Sequence, residues 1–573
     1  MKEVIAALLE KEINLEKEKI EKMVERPKED GLGDFSFPCF PLAKKLKKDP
    51  KQIAKDLSKE LSKKIKEIDE LEGVEATNGY LNFMVNLSRF TSGVLDKIGE
   101  KGNENGKVVI DFSSPNIGKP LHVGHVRSTI LGDSMNRIYK FLGWETYGIN
   151  YINDEGLHIG KLVEAYKLWG EDKKIGKNPE KELLNLYVKY CKKEKLDAGE
   201  ELEKSPSQED NEDKDNKWAR KAKQNLKKLE EGDKELKEIW GKIKKYSLEG
   251  FNRAYDRLDV EFDEIVGSSK FSKKGKEMVK LLLKEGLAYE SDDGAAIAKL
   301  EEEDLPDKVV LRNDKTALYS TQDLGAAVLR HENHNFDKMI YVVGDEQRLY
   351  FKQLFKIFEK IGYEWASSLE HLAFGLFNLE TGKISSREGN VIFLQDVIDR
   401  AKEEALKEIE EKSPELENKE KVAEKVGVAA LKYSVLSKEP IKNMEFSFKN
   451  AINFEGDTGP YLQYSHARAN SILEKANSKG QYQSDENFDP AEIKLIKTLD
   501  QFKEKVRKAR QNLNPALIAN YSYKLSKIFN EFYHKCKVIG SEKEEFRLKL
   551  VSSFKRILKI SLELLGIEPL GKM

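Results

Sequence analysis

The stretch Val108-Val109-Ile110-Asp111-Phe112-Ser113-Ser114-Pro115-Asn116-Ile117-Gly118-Lys119-Pro120-Leu121-His122-Val123-Gly124-His125 constrains the fold more than any other part of this chain. Its first five residues form an apolar, β-branched run that reads as a buried strand. A turn rich in Ser, Pro, Asn and Gly then breaks the pattern. Across residues 121–142, Leu121, Val126, Ile130, Leu131, Met135, Ile138 and Phe141 recur close to helical spacing. The prediction is a strand, a turn and a helix, with His122 and His125 in the first helical turn. That place attracts anions, because unpaired amide N–H groups and the helix dipole converge at the carboxyl end of a strand. Residues three apart share a helix face, so the two imidazoles point the same way. Gly124 between them lets a flat ring approach the backbone.

Alone, two histidines beside a turn are commonly without chemistry. Metal ligation is a second alternative, but no Cys, Asp or His array at zinc spacing lies nearby. A second stretch raises the signal. Lys383-Ile384-Ser385-Ser386-Arg387-Glu388-Gly389-Asn390 is a basic, hydroxyl-bearing loop suited to a polyphosphate. Taken together, His-x-Gly-His and the later Lys-x-Ser-x-x resemble the two signatures of class I aminoacyl-tRNA synthetases.

At 573 residues the chain has room for several domains. Charged residues make up 35% of it, yet the formal net charge is −1, so a nucleic-acid binder of this composition must sort its basic residues into local patches. Three widely spaced cysteines, Cys39, Cys191 and Cys536, argue against a disulfide framework and fit a reducing cytoplasm. The first residues lack a signal-peptide pattern, and no apolar run is long enough to span a bilayer. A soluble, cytoplasmic protein without membrane contact is expected.

Residues 1–95 read as a small α+β module. An amphipathic helix (Val4, Leu8, Leu9, Ile13) precedes Gly33-Asp34-Phe35-Ser36-Phe37-Pro38, a second helix (Ile53, Ala54, Leu57, Leu61) and the strand Gly79-Tyr80-Leu81-Asn82-Phe83. These segments resemble the additional N-terminal domain of the arginyl-tRNA synthetase family. The resemblance implies contact with the outer corner of the tRNA, where Tyr80 and Asn82 match nucleotide-contacting positions. An aromatic beside an amide suits an unpaired base. Plain strand packing of Tyr80 is the alternative.

The catalytic part is expected over residues 105–400 as a Rossmann-type α/β domain. Its second strand, near Ile149-Asn150-Tyr151-Ile152, ends in Asn153-Asp154-Glu155-Gly156-Leu157-His158, where the family usually has Gln in place of His158. Residues 165–290 read as a charged, helical insertion without chemistry of its own, with a solvated linker around Ser205–Asp213. No editing module is apparent. A guanidinium offers five donors in a fixed fork, so a single polar pocket can reject other amino acids.

Tyr319 and Asp323 are four apart and share a helix face, and a carboxylate with an aromatic neighbour suits a guanidinium. Helix capping by Asp323 is the bland alternative. In the family, the positions matching Asp111, Asn116, Tyr319, Asp323 and Gln347 bind arginine. By the same resemblance ATP, entering with Mg²⁺, meets Gly124, Gly344, Ser385 and Ser386, while His122, His125, Lys119, Lys383 and Arg387 act on its phosphates. Asp111 is shorter than the Glu often found at its position. Ser386 replaces the second lysine of the late signature, and Lys119 or Arg387 is expected to supply the missing charge.

Residues 401–445 are expected to link to an all-α bundle over 446–573, which resembles the family's anticodon-binding domain from Thr458-Gly459-Pro460-Tyr461 onward. Tyr461, Tyr464, Arg468, Tyr533 and Met573 are RNA-facing candidates, with core or rim packing open for each aromatic. The resemblance implies a monomeric enzyme joining arginine to tRNA(Arg). Two rivals are a nucleotidyltransferase on the same nucleotide fold and a catalytically impaired synthetase-like RNA-binding protein.

Overall fold

The computed structural model describes residues 1–27, 31–197, 216–379, 392–476 and 487–573. They divide into two compact units. One comprises Met1–Glu100, Ile472–Gln501 and Lys527–Ile557, the other Lys101–Ser471, Phe502–Ser526 and Leu558–Met573.

In the first unit, β1 (Phe35–Pro38), β2 (Leu71–Thr77) and β3 (Tyr80–Val85) form an antiparallel sheet in the order β1-β3-β2. Asn78 and Gly79, both at positive φ, join Thr77 to its partner Tyr80, the backbone that a two-residue hairpin demands. α1 (Lys2–Glu10) buries Ile5, Ala6, Leu8 and Leu9. α2 (Pro50–Lys64) starts on an Asp49 cap with Pro50 at its first position, and packs Ile53, Ala54 and Leu61 inward. The later segments of this unit are helical; Phe529 stacks on Phe554 with ring centroids 3.7 Å apart. Arg547 bridges the buried Glu492 at 2.8 Å and Asp489 at 2.7 Å.

The second unit holds a five-stranded parallel sheet built from β4 (Lys107–Asp111), β5 (Glu145–Ile152), β6 (Glu264–Gly267), β10 (Lys338–Gly344) and β11 (Leu369–Phe374), in the order β11-β10-β4-β5-β6. Val108, Val109 and Ile110 are buried on both faces, as a central parallel strand requires. The chain enters at β4, builds outward through β5 and β6, then returns to build the other side with β10 and β11. The crevice between β4 and β10 is therefore the switch point at which ligands bind in open α/β sheets. Between β6 and β10 lies a small antiparallel meander of β7 (Ala288–Glu290), β8 (Ala296–Ala298) and β9 (Lys308–Leu311).

The helices that matter for the crevice are α3 (Val123–Leu142), α4 (Leu157–Trp169), α5 (Pro179–Asp197), α6 (Lys217–Glu231), α7 (Lys234–Leu258), α8 (Tyr319–His334) and α9 (Arg348–Ile361). Beyond the sheet, β12 (Phe377–Leu379) pairs in parallel with β13 (Met444–Phe446), and helices α10 (Leu394–Lys412), α11 (Lys419–Leu436) and α12 (Gly459–Lys475) follow. The terminal segment docks on this group: Ser134 donates to the carbonyl of Leu564 at 2.9 Å, and the buried Lys432 to that of Gly566 at 2.6 Å. Among the described residues no helix is long and apolar enough to cross a membrane.

Candidate active site

The crevice is assembled from three strand ends and the two helices that leave them. At the end of β4, Ser113 and Ser114 both adopt the left-handed backbone, with φ of +72° and +50°. Such a pair is strained for residues with a side chain and persists only when neighbours over-determine it. They do so here. The Ser113 N–H donates to Ser128 Oγ at 2.9 Å, its hydroxyl meets Tyr255 at 2.7 Å, and the Ser114 N–H donates to Asn150 Oδ1 at 3.2 Å. The turn then crosses to the end of β5, where Asn116 and Asn153 form a parallel bridge and Asn153 Nδ2 donates to Asn116 Oδ1 at 2.5 Å.

α3 begins as the sequence pattern predicts. His122 is its N-cap, and His122 Nδ1 accepts from the Gly124 N–H at 3.0 Å. His125 Nδ1 accepts from the His122 N–H at 3.3 Å, and the two rings lie 4.2 Å apart. Both contacts need an unprotonated Nδ1, so each neutral ring carries its proton on Nε2, a donor for an anion. Burial, followed by the charge of Lys119, pushes His122 down to about 4. Burial first, then His122, holds His125 well below the usual imidazole range. The ring that uses the space over Gly124 is His122's own: a Cβ at 124 would lie 2.7 Å from its Cε1.

Three residues before His122, the Lys119 ammonium lies 4.9 Å from the ring centre of Tyr187 on α5. The residues just after the second signature are joined to the first one. Leu394 N–H donates to the Leu121 carbonyl at 2.9 Å, Val123 N–H to that of Ile392 at 3.4 Å, and His122 bridges Phe393. Lys383, Ser385, Ser386 and Arg387 lie outside the described residues. On the far side, Arg127 is fully buried and donates to the carbonyls of Gly375, Pro440 and Lys442, at 2.8, 2.7 and 2.6 Å.

A buried polar cluster fills the floor. Asp111 is 4% exposed; Arg330 reaches its Oδ2 at 2.8 Å and Ser114 Oγ donates to Oδ1 at 2.8 Å. The Arg330 guanidinium stands 4.8 Å over the Tyr151 ring and 5.9 Å from that of Tyr341. Asp323, one helical turn below Tyr319 on α8, accepts from the Tyr350 hydroxyl. Burial raises the Asp323 carboxyl to about 6, against the opposing pull of Tyr350 and Arg330.

Those of the expected residues that fall within the described ones have these places. Asp111, Asn116, Lys119, His122, Gly124 and His125 line the β4 turn and the start of α3, and Gly344 closes β10 at the same sheet edge. Gln347 is exposed in the short 3₁₀ turn after Gly344. Three features add to what the sequence suggested. The aromatic partner of Asp323 is Tyr350, whereas Tyr319 is 57% exposed and its hydroxyl accepts from Asn153 Nδ2 at 2.7 Å. Asp111, expected to face an α-ammonium, is already paired to Arg330. The helical insertion is not remote from the chemistry, since Tyr187 reaches Lys119, Tyr255 props Ser113, and Lys244 pairs with the buried Asp154 at 2.7 Å. His158, in the first turn of α4, is pushed down to about 3 by burial and then by Lys119, and its Nε2 is buried with no partner among the described residues.

Of the positions matched to tRNA contact, Tyr80 packs edge-on to Phe40 at 5.2 Å, and Asn82 is 3% exposed with its Oδ1 accepting from Ser36 at 2.6 Å. Asn82 therefore tethers β3 to β1 rather than offering an open face. Tyr461 meets Tyr523 edge-on at 5.6 Å. Arg468 lies 4.8 Å over Tyr464 and donates to its hydroxyl at 3.0 Å, while Tyr533 is an exposed aromatic and Met573 is half-buried.

Comparison with known proteins settles the family. The description "tRNA synthetases class I (R), catalytic domain" matches residues 91–448, more than half of the chain. The chain belongs to the arginyl family of class I tRNA synthetases. The "Arginyl tRNA synthetase N terminal domain" matches residues 1–85 and the "DALR anticodon binding domain" residues 462–573. The chain is 38% identical to the arginine–tRNA ligase of Clostridium perfringens, covering 100% of each, and 38% identical to that of Halothermothrix orenii, covering 100% and 99%. Its fold is similar to that of Thermus thermophilus arginyl-tRNA synthetase, with a TM-score of 0.82 at 26% identity over 100% of this chain and 99% of that one. Arginyl synthetases thus give a frame for residues that sequence patterns pass over. Arg330 had a signal: seven residues after Asp323, it shares that face of α8 and is a lone cation among Leu324, Ala327 and Val328. Tyr187 had none, being one aromatic among many at helical spacing.

Proposed function

We propose that this chain activates arginine with ATP and transfers it to the 3′ end of tRNA(Arg). The observation that carries the reading is a two-histidine helix start on the sheet edge where Asp111 pairs with Arg330, with Asp323 on α8 coupled to both. In the reaction the arginine carboxylate attacks the α-phosphate in line and pyrophosphate leaves. Such a displacement asks the protein mainly for positioning and charge stabilisation.

The chain's own residues divide that work. Asp323 receives the guanidinium, bounded by Tyr319, and exchanges its Tyr350 contact for a charge-assisted fork. Asn116 and Gln347 orient the substrate, with Asp111, held by Ser114 and Arg330, toward its α-ammonium. His122 and His125 donate through Nε2–H to phosphate oxygens, and Lys119 supplies the positive charge beside them. Lys383 and Arg387, with Ser385 and Ser386, serve the departing pyrophosphate of an ATP that enters with Mg²⁺. Gly124 and Gly344 flank the nucleoside. A terminal ribose hydroxyl of the tRNA then attacks the adenylate. Tyr80, Asn82, Tyr461, Tyr464, Arg468, Tyr533 and Met573 serve the tRNA, Asn82 by holding the strand that carries Tyr80. The enzyme works as a monomer in the cytoplasm.

The test is exchange of pyrophosphate into ATP. Exchange requiring both arginine and tRNA is expected, because a second ligand completes the site by induced fit. Robust arginine-dependent exchange in RNA-free protein overturns the tRNA requirement. No exchange with both present leaves the RNA-binding rival standing.

A further inference from the structure

The loop that carries Lys119 is rigid, but a lysine side chain on a rigid loop is still a flexible four-carbon stem. The turn is clamped at Gly118, whose N–H donates to Ser247 Oγ of α7 at 2.8 Å; its φ of +78° strains any side chain, and a Cβ there would lie 2.0 Å from Leu162 Cδ2. Rigidity ends at the Lys119 Cα. Beyond it, the ring of Tyr187 lies 4.9 Å from the ammonium. Tyr187 is 5% exposed on α5, flanked by the buried Leu183, Leu184, Leu186 and Tyr190. Its ring is thus a fixed wall rather than a mobile surface group.

A ring face suits this task in a way a carboxylate does not. It attracts an ammonium through its quadrupole without cancelling the charge. An ammonium so held can still meet a phosphate. The three nearby imidazoles, His122, His125 and His158, all feel the Lys119 charge, so the ammonium lies close to the first turns of α3 and α4.

We propose that Tyr187 is a positioning residue for adenylate formation, its ring face holding the Lys119 ammonium where the α-phosphate arrives, so that the helical insertion takes part in the chemistry. The proposal rests on the reading of Lys119 as the cation that serves the phosphate. It makes the ring's electron density, not only its volume, matter to the rate.

The experiment is single-turnover arginyl-adenylate formation by the full chain with tRNA bound, at saturating ATP. Tyr187→Phe keeps the face and is expected within about twofold of the parent. Replacement of Tyr187 by trifluorinated phenylalanine keeps the shape but drains the face, and is expected to slow the step about 3- to 30-fold, the range of one cation–π contact. The Michaelis constant for arginine should stay unchanged in both. In a Lys119→Ala background the fluorinated ring should have no further effect. A fluorinated variant as fast as Tyr187→Phe overturns the proposal, as does an equal slowing with and without Lys119, which would mean packing alone. Normal rates in Lys119→Ala would instead sink the reading of Lys119 itself.

Discussion

Arg330 and Asp111 form an ion pair of 2.8 Å at the carboxyl edge of the central strand, both less than 5% exposed. The Arg330 guanidinium is stacked 4.8 Å over Tyr151, so on the proposed reading the arginine site carries an arginine of its own. The same guanidinium also acts on Asp323, which burial nevertheless raises to about 6, outweighing the help of Tyr350 and Arg330.

Removing only Arg330 should therefore be costly. Arg330→Met strands the buried Asp111 charge and is expected to destabilise the protein by about 3–5 kcal/mol. The paired replacement Arg330→Met with Asp111→Leu should recover most of that loss, because no buried charge is left alone. Urea titration followed by tryptophan fluorescence checks both; a double variant as weak as the single one would mean that packing, not charge, is at stake.

If Asp323 receives the guanidinium as proposed, it sets the pH response of arginine binding. A guanidinium needs the ionised carboxylate, so binding lowers the Asp323 pKa and expels a proton. Arginine affinity should be flat above about pH 7 and fall as pH drops below about 6, by roughly tenfold per unit once the carboxyl is mainly protonated. Asp323→Asn should abolish that slope and weaken arginine binding by about 2–5 kcal/mol. Calorimetric titration of arginine into the tRNA complex across pH 5–8 tests it. A level affinity over that range removes Asp323 from the pocket.

How much of this was legible in the residues depends on the range of the interaction. The strand–turn–helix with His122 as cap was readable, since the apolar period, the breakers and the cap lie within a few dozen residues. The same holds for the strand ending at Gly344, whereas Gly79, read as the start of a strand, lies in a hairpin turn with Asn78. Side-chain partnerships across the sheet were not. With 100 Lys and Arg facing 101 Asp and Glu, nothing local marks Arg330 for Asp111 or Lys244 for Asp154. Tyr350 replaced Tyr319 as the partner of Asp323 because α9 brings it there from outside the local helix, and helical spacing speaks only for neighbours on one helix.

The imidazoles predict an acid limit to stability. His122 at about 4 and His158 at about 3 are depressed in the folded protein, mainly by burial, so between their folded values and the usual value near 6.5 the unfolded chain binds more protons. Their neutral forms stabilise the fold fully above pH 6.5, and that contribution is lost as pH falls toward 4. The melting temperature should drop over this window. His158→Gln, which offers an amide in place of the unpartnered Nε2, should flatten the drop; an unchanged slope would place the acid sensitivity elsewhere.

The late signature bears Ser386 at its fourth position, where the common class I form has a lysine, so the developing charge on the α-phosphate needs a cation from another segment. Lys119 is proposed for that role. It precedes the histidine pair by three residues, its backbone is clamped by α4 and α7, and its ammonium is held by Tyr187. Loss of one such electrostatic contact typically costs about 10²–10³ in rate. Lys119→Ala should therefore slow single-turnover adenylation about 10²-fold or more with tRNA affinity little changed, because the contact is made to the reacting phosphate. Arg387→Ala should do less to the chemical step and more to retention of pyrophosphate. Near-normal adenylation in Lys119→Ala, with collapse in Arg387→Ala, would assign the compensating charge to the second signature and leave Lys119 as an ordered bystander on its tyrosine.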